Sequence, residues 1–302
     1  MKHLPLPLLA VLAAALSSIL GGSSIVATRF VVPEAGVLPT IFLRFVGASL
    51  VMWAITLPRM SIRVQPRDVP LVASLGLVQF ALFPWFFTMS LSHISAARGA
   101  LVLSTQPLFT LALAALVGRE RFTVEKVVGG MIALAAVGFA LGDRLAAASD
   151  DAWKGDLFMF GAVLSGTLYN VSASYALRRY RAMVAASLMI PVGAVAIGAV
   201  LFGTGSHHEF ARISVTGWLA IIYLMTFGGA ASFFLWIWAL EHTAPSRVAL
   251  AVTFNPVSAA ILGAVVLHEP ITWRLGVGLV GIVASLVLVN WRTIRQVRRR
   301  PS

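Results

Sequence analysis

A long stretch occurs twice in the chain, and this duplication constrains the fold more than any other feature of the sequence. The first copy begins at His93 and the second at His242, and they align without a gap. Only 11% of the residues are charged, so chance matches among charged positions are rare. The matched pairs are His93 and His242, Arg98 and Arg247, Pro107 and Pro256, Glu120 and Glu269, and Thr123 and Thr272. Such internal repetition predicts two copies of one structural unit.

The composition is that of a helical membrane protein. Of the 302 residues, 59% are hydrophobic, and the mean hydropathy is +0.91. A soluble domain is nearer half apolar and a quarter charged, and in lipid a helix satisfies every backbone polar group within its own segment. The sequence contains no cysteine, which excludes disulfides, thiolate metal sites and a cysteine nucleophile.

Ten apolar runs are each long enough to cross the hydrocarbon of a bilayer, which takes about 20 residues. Five runs fall in each half of the chain, and from here on the two halves are called the two copies of the repeat. Because five is an odd number, the second copy is inverted relative to the first. The predicted fold class is therefore all-α integral membrane, with ten transmembrane helices arranged as two inverted five-helix repeats. The predicted spans are Leu6–Thr28, Val37–Leu57, Val69–Leu91, Ser95–Val117, Val124–Leu141, Gly155–Leu177, Met183–Phe202, Thr216–Leu240, Pro245–Leu267 and Thr272–Trp291.

The domain boundaries follow from these runs. The first run also fits a cleaved signal peptide, but Ser23 and Arg29 match Ser172 and Arg178 at the repeat spacing. We therefore expect an uncleaved first span. The predicted parts are residues 1–142 (first repeat), 143–154 (linker), 155–292 (second repeat) and 293–302 (basic tail).

The basic residues orient the protein in the membrane. The net charge of +12 is gathered in short clusters between apolar runs, a pattern typical of cytoplasmic connections rather than of nucleic-acid binding. One cluster contains Arg59, Arg63 and Arg67, and another contains Arg178 and Arg179. The side that carries them is predicted to be cytoplasmic, which places both termini in the cytoplasm.

Polar groups recur at matching depth in the fourth and ninth spans. Pro107 follows Gln106, and Pro256 follows Asn255. A proline inside a helix removes one backbone hydrogen bond, so we predict a hinge at each proline. Ser104 and Thr253 also correspond. Inverted repeats place a substrate site near the midplane beside weakened helices, although such polar groups also serve as packing contacts between helices.

Further polar and aromatic residues in the spans extend this candidate site. Intramembrane polar side chains usually face a bundle interior or a cavity, and aromatic rings can stack on a substrate. The predicted substrate-binding residues are Gln79, Trp85, Ser104, Gln106, Tyr169, Asn170, Trp236, Thr253 and Asn255. Arg44 lies within the second span with its role open, and Gly21 and Gly22 are interpreted as sites of close helix packing.

The repeated charges suggest gates at the two faces of the membrane. With inverted halves, Arg98 and Glu269 fall on the outer side, and Arg247 and Glu120 on the inner side. Each pair could bridge the halves and break as the transporter opens. The alternative is that these residues are helix-end charges among headgroups, where an ion pair contributes about 0–1 kcal/mol.

Motifs for covalent or metal chemistry are absent from the sequence. His207, His208 and Glu209 form a loop cluster that lacks the second histidine of a metalloprotease helix. There is no nucleophile elbow and no phosphate-binding glycine–lysine loop. We therefore expect a protein that is not an enzyme and that binds no cofactor or metal.

The two proline segments, each with an arginine before it and a glutamate after it, resemble the EamA family of the drug/metabolite transporter superfamily. The opening Gly21–Phe30 with Arg44 downstream resembles the start of an EamA unit, and a weaker resemblance extends to the YddG-type amino-acid exporters. In the second unit Tyr169 and Asn170 replace the glycine-rich start. The resemblance implies a ten-helix inner-membrane exporter that works by alternating access. In such folds the first, third, fourth, sixth, eighth and ninth helices line a central cavity.

The leading hypothesis is a secondary transporter that exports small metabolites, above all amino acids, because amides and hydroxyls can hold a zwitterion while aromatic rings accommodate its side chain. A broad drug or nucleobase exporter is an alternative, and a non-transporting membrane receptor is another from a different class. The expected partners are a small-molecule substrate and the lipid bilayer, with no nucleic acid. The oligomeric state, including a homodimer, stays open.

Overall fold

The computed structural model describes residues 5–91, 93–94, 99, 102–141, 152–206, 208, 210, 213–267 and 273–298. This part of the chain is helical and contains no strand. The helices are α1 (Leu6–Ala35), α2 (Val37–Thr56), α3 (Val69–Leu77 and Phe83–Leu91), α4 (Gln106–Leu116), α5 (Val124–Leu141), α6 (Ala152–Leu177), α7 (Ala182–Gly203), α8 (Val215–Met225 and Ser232–His242), α9 (Pro245–Leu250 and Phe254–Leu267) and α10 (Trp273–Arg298).

Three of these helices are interrupted. In α3 the two segments are joined by the π-helical turn Val78–Leu82, and in α8 by the π-helical turn Thr226–Ala231. A 3₁₀ turn, Ala251–Thr253, joins the segments of α9. The two π turns fall at equivalent positions of the sequence repeat, and single wide turns of this kind are frequent at functional sites.

The helices lie where the apolar runs predict them, with differences at the ends. By length and composition, six helices of the described chain could cross a membrane, and they correspond to α1, α2, α3, α6, α7 and α8. Helix α6 begins at Ala152, inside the predicted linker of residues 143–154. The predicted tail is also partly helical, because α10 continues to Arg298. An apolar run marks only the part of a helix that crosses the lipid. The backbone hydrogen bonds of the helix continue into the polar residues on either side of that run.

The helices pack in pairs that mirror one another between the two copies. Helix α1 packs on α8 and α9, and the equivalent α6 packs on α3 and α4. Helices α2 and α7, which correspond in the repeat, pack on each other, as do α5 and α10. The main buried core draws on helices of both copies, and in it Phe45 and Phe80 pack with the partly buried Phe233, with ring centroids 4.9–5.6 Å apart.

Candidate functional site

A cavity lies between the two copies, in the middle of the helix bundle. Its volume is about 130 Å³, whereas one water needs roughly 10–15 Å³, so the cavity has room for a small metabolite. Its lining comes from α1, α2, α3, α4, α6, α8 and α9. The lining residues are Ser17, Ser18, Gly21, Ser24, Ile25, Thr28, Thr40, Ile41, Arg44, Phe45, Gln79, Phe83, Pro84, Phe87, Thr88, Leu103, Gln106, Asn170, Ser232, Phe233, Trp236, Val252 and Asn255.

Helix α2 is a wall of this cavity that the family resemblance did not lead us to expect. Its first turns contribute Thr40, Ile41, Arg44 and Phe45. The other lining helices agree with the expectation, and no described residue of α5 or α10 lines the cavity. Because α2 packs against the π turn of α8, its first turns reach the cavity beside that turn.

Five of the residues predicted to bind substrate lie around the cavity. They are Gln79 on α3, Gln106 on α4, Asn170 on α6, Trp236 on α8 and Asn255 on α9. The indole Nε1 of Trp236 donates a 2.9 Å hydrogen bond to Oδ1 of Asn170. The two amide residues paired by the repeat, Gln106 and Asn255, thus lie around one cavity, and their role in substrate binding stays a prediction.

The other four predicted residues pack elsewhere. Trp85 points toward Phe158, with ring centroids 6.0 Å apart. The ring of Tyr169 is fully buried against Phe80, at 6.1 Å. Ser104 and Thr253 are also buried outside the lining, and the Thr253 hydroxyl donates to the Leu250 carbonyl at 2.8 Å. Each position adds about 100° of rotation around a helix, so depth in a span alone does not determine which face a side chain occupies.

Each of the two prolines lies at the start of a helical segment that follows a turn, and the hinge predicted at each stays a prediction. Pro107 lies in the first turn of α4, whose described helical segment begins at Gln106. Pro256 lies in the first turn of the second segment of α9, immediately after the 3₁₀ turn Ala251–Thr253. A proline at the start of a helix removes no intrahelical hydrogen bond. The amide residues Gln106 and Asn255 are thereby placed where each helical segment begins.

Glycines on neighbouring helices pack closely against Gln106 and Asn255. A Cβ added at Gly22 would lie 1.8 Å from the Ser258 hydroxyl and 2.3 Å from the Asn255 carbonyl oxygen. A Cβ at Gly166 would lie 2.4 Å from Nε2 of Gln106. The prediction that the first span packs closely at Gly21 and Gly22 is confirmed. Glycine allows α1 and α6 to approach the amides of the opposite copy.

Buried polar atoms without a hydrogen-bond partner are concentrated at the cavity. In the described part of the chain, six such atoms belong to residues that line the cavity. A buried polar group without a partner costs about 1–3 kcal/mol, so these groups are poised for a ligand or for water. The six are Ser18 Oγ, Arg44 Nε, Gln79 Oε1, Gln106 Oε1, Asn170 Nδ2 and Asn255 Oδ1.

Arg44 is the residue that sequence reasoning missed. Its Nη2 donates a 2.5 Å hydrogen bond to the Gly228 carbonyl in the π turn of α8. Its guanidinium carbon lies 5.6 Å from the ring centroids of both Phe45 and Phe233. A charged residue inside an apolar run was the available signal, since such residues usually face a cavity rather than lipid.

One end of the bundle is closed by polar contacts between the copies. Asp68, only 2% exposed, forms an ion pair with Arg179 and accepts a 2.8 Å hydrogen bond from the Tyr180 hydroxyl. At the same end Glu120 accepts a 3.0 Å hydrogen bond from the Ser246 backbone N–H. Within the second copy, Glu241 accepts from the Ala182 N–H, also at 3.0 Å. These contacts join connections that the sequence predicts to be cytoplasmic.

The predicted gate residues are only partly described. Arg98 and Glu269 lie outside the described residues. Glu120 forms an ion pair of 2.5 Å with Lys126 in its own copy and binds Ser246 of the other copy. Arg247 follows Ser246 directly, and Glu120 attracts it electrostatically. Glu120 thus contacts the other copy at the start of α9.

These features define a class: a bundle of apolar helices enclosing a small cavity with a few polar side chains in an apolar lining, as in a membrane transporter. The family model described as "EamA-like transporter family" matches residues 8–142 and again residues 153–291. The chain belongs to this family and is a multi-pass membrane protein. Members of this family are transporters, which agrees with the expectation that the protein is not an enzyme.

Similar proteins extend over most of the chain. An "Uncharacterized transporter" of Archaeoglobus fulgidus is 26% identical, covering 70% of this chain and 74% of that protein. A "Probable terminal-alkyne amino-acid exporter" of Streptantibioticus cattleyicolor is 26% identical, covering 77% and 76%. One solved crystal structure matches with a TM-score of 0.76 at 20% identity, covering 95% of this chain and 98% of its own. At that identity the match bears on the fold alone.

Proposed function

We propose that the protein is a secondary transporter of the inner membrane that exports small metabolites, above all amino acids, by alternating access to the central cavity. The observation that carries this proposal is the set of six unpartnered buried polar atoms around the cavity. Both hydrogen-bond donors and acceptors are among them, and the ammonium and carboxylate of an amino acid require both. The name of the relative from Streptantibioticus cattleyicolor supports the same substrate class.

The proposed architecture is ten spans in two inverted five-helix units. The mirrored packing of α1 and α6 and the equivalent π turns of α3 and α8 support it. With inverted units, equivalent helices of the two copies exchange roles as the cavity opens to one face and then to the other.

The described state opens away from the cytoplasm in this proposal. Thr28, Thr40 and Thr88 line the cavity toward the end of the bundle opposite the Asp68 contacts. The positive-inside pattern assigns the Asp68 end to the cytoplasm. Contacts of Asp68 and Glu120 with the other copy would break when the cavity opens inward, and Arg98 with Glu269 would form the outer gate.

Reconstituted protein provides the test. Liposomes preloaded with an amino acid should exchange it for labelled amino acid outside, at rates well above those of protein-free liposomes. Asn255→Ala and Gln106→Ala should each lower this flux at least tenfold while the protein remains folded. Gln65→Ala is the matched control, because the Gln65 side chain is exposed and the residue is held by its backbone, whose N–H donates to the Tyr180 hydroxyl and whose carbonyl accepts from the Asp68 N–H.

Other outcomes would identify other functions. Flux of an aromatic drug or a nucleobase without flux of any amino acid would indicate a broad exporter. Saturable binding without flux would indicate a receptor. Either result would contradict amino-acid export.

A further inference from the structure

One charged side chain lines the cavity in the part of the chain that the structure describes, and it is Arg44. The other polar lining groups are hydroxyls, amides and the Trp236 indole. An amide or hydroxyl can both donate and accept hydrogen bonds, whereas a guanidinium only donates and carries a fixed positive charge. Arg44 therefore determines which sign of charge the cavity favours.

The guanidinium is held in place but is not neutralised. Its Nη2 donates to the Gly228 carbonyl, and its Nε has no hydrogen-bond partner. The rings of Phe45 and Phe233 flank it, each at 5.6 Å. A carbonyl satisfies one of the five N–H donors of an arginine and offsets little of its charge, and a buried charge without a counter-ion is costly.

The acidic residues near these helices are bound elsewhere. Glu34, at the end of α1, accepts hydrogen bonds from the backbone N–H and the hydroxyl of Ser214. Glu241 at the end of α8 binds the Ala182 N–H, and Asp68 beside α3 binds Arg179 and Tyr180. Within the described residues, no carboxylate pairs with Arg44.

The π turn of α8 supports this position. A Cβ at Gly229 would lie 2.9 Å from the Ala48 Cβ and 3.4 Å from the Arg44 carbonyl oxygen. Glycine thus allows α8 to approach α2 closely enough for the Gly228 carbonyl to bind the guanidinium. This arrangement orients the arginine toward the cavity instead of toward the membrane surface.

We propose that Arg44 binds the carboxylate of the transported molecule, so that the substrates are small zwitterions or anions with an apolar side chain. The planar fork of a guanidinium matches a carboxylate with two parallel hydrogen bonds. The unpartnered oxygens of Gln106 and Asn255 accept from an ammonium, and the rings of Phe83 and Phe87 line the space for an apolar side chain. The inference rests on the proposed transport function.

Binding of three related molecules to the purified protein tests this inference. L-phenylalanine carries both charged groups, 3-phenylpropionate only the carboxylate, and phenethylamine only the ammonium. Titration calorimetry on wild type should show phenethylamine binding at least tenfold more weakly than L-phenylalanine. Arg44→Gln should weaken both carboxylates at least tenfold and leave phenethylamine unchanged, while Arg63→Gln, in an exposed loop, should change none of the three.

Thermal unfolding without ligand checks that each variant is folded. Should Arg44→Gln fail to fold, Arg44→Lys keeps the charge without the planar fork, and it should weaken the carboxylates selectively but by less. The inference is overturned if no carboxylate binds to wild type, if phenethylamine binds as tightly as L-phenylalanine, or if the folded arginine variant weakens all three ligands equally.

The flux assay separates this inference from the proposed function. Arg44-dependent binding of 3-phenylpropionate with no amino-acid flux would refute amino-acid export and leave the carboxylate site standing. Amino-acid flux that is unaffected by Arg44→Gln and equalled by phenethylamine flux would refute the carboxylate site and leave amino-acid transport standing.

Discussion

The hydroxyl of Tyr180 donates a 2.8 Å hydrogen bond to Oδ2 of Asp68 and accepts a 3.0 Å hydrogen bond from the backbone N–H of Gln65. Arg179 pairs with the other carboxylate oxygen of Asp68. The connection between α2 and α3 is thereby tied to the connection between α6 and α7. One buried carboxylate holds two loops from different copies of the repeat.

Asp68→Asn should therefore loosen this end of the bundle. The change removes the charge that pairs with Arg179, and a hydrogen bond to a charged group contributes about 1.5–3 kcal/mol. The Arg179 side chain is 51% exposed, so we expect the lower part of this range. Denaturant unfolding in detergent measures the loss, with Arg63→Gln as the control. An unchanged midpoint would refute a stabilising role.

The predicted orientation can be read from single cysteines, because the chain contains none. In intact cells a membrane-impermeant maleimide should label the Thr204→Cys variant, in the connection between α7 and α8. The Arg63→Cys variant should be labelled only after the membrane is permeabilised. Both positions are exposed, so burial would not hide them. The opposite pattern of labelling would invert the proposed orientation.

Gly22→Ala should disrupt the packing of α1 on α9. The new methyl group would lie 2.3 Å from the Asn255 carbonyl oxygen, and overpacking typically costs about 1–3 kcal/mol. Gly203→Ala is the matched control, since no atom lies within 4 Å of its added Cβ. We expect a lower melting temperature and less monodisperse protein on size exclusion for Gly22→Ala alone. Equal behaviour of the two variants would count against close packing at Gly22.

Trp236→Phe should leave the Oδ1 atom of Asn170 without its donor. The change removes the 2.9 Å hydrogen bond and also shrinks a buried ring, so a double-mutant cycle is needed to isolate the bond. A double-mutant cycle with Asn170→Ala should give a coupling energy of about 0.5–1.5 kcal/mol in unfolding experiments. Additive single and double variants would show that this bond contributes nothing to stability.

The sequence predicted those parts of the site that depend on position along a helix. Gln106 and Asn255 stand out because they are polar residues within apolar runs and occupy equivalent places in two copies. Their placement beside one cavity followed from the repeat, without knowledge of helix rotation. The same reasoning located the helices, since burial in lipid leaves a long apolar run in the sequence.

Side-chain direction was beyond this reasoning. Trp85 and Trp236 look alike in the sequence, yet Trp85 packs on Phe158 while Trp236 reaches Asn170. The role of Arg44 depends on a carbonyl of another helix, 184 positions away in the chain. Contacts of this kind depend on how helices turn and approach each other, and local sequence patterns do not encode either property strongly.

The π turns at Val78–Leu82 and Thr226–Ala231 have a consequence for the evolution of this chain. A π turn accommodates one extra residue without breaking the helix, and an α-helix rotates about 100° for each residue. Deleting one residue from Thr226–Ala231 would restore a regular helix and leave Ser232 and Trp236 facing as they do now, whereas a deletion in a regular part of the helix would turn them by that angle. Lineages that gain or lose one residue at such a turn would therefore keep the same side chains facing the cargo, and the span would keep its place in the bilayer.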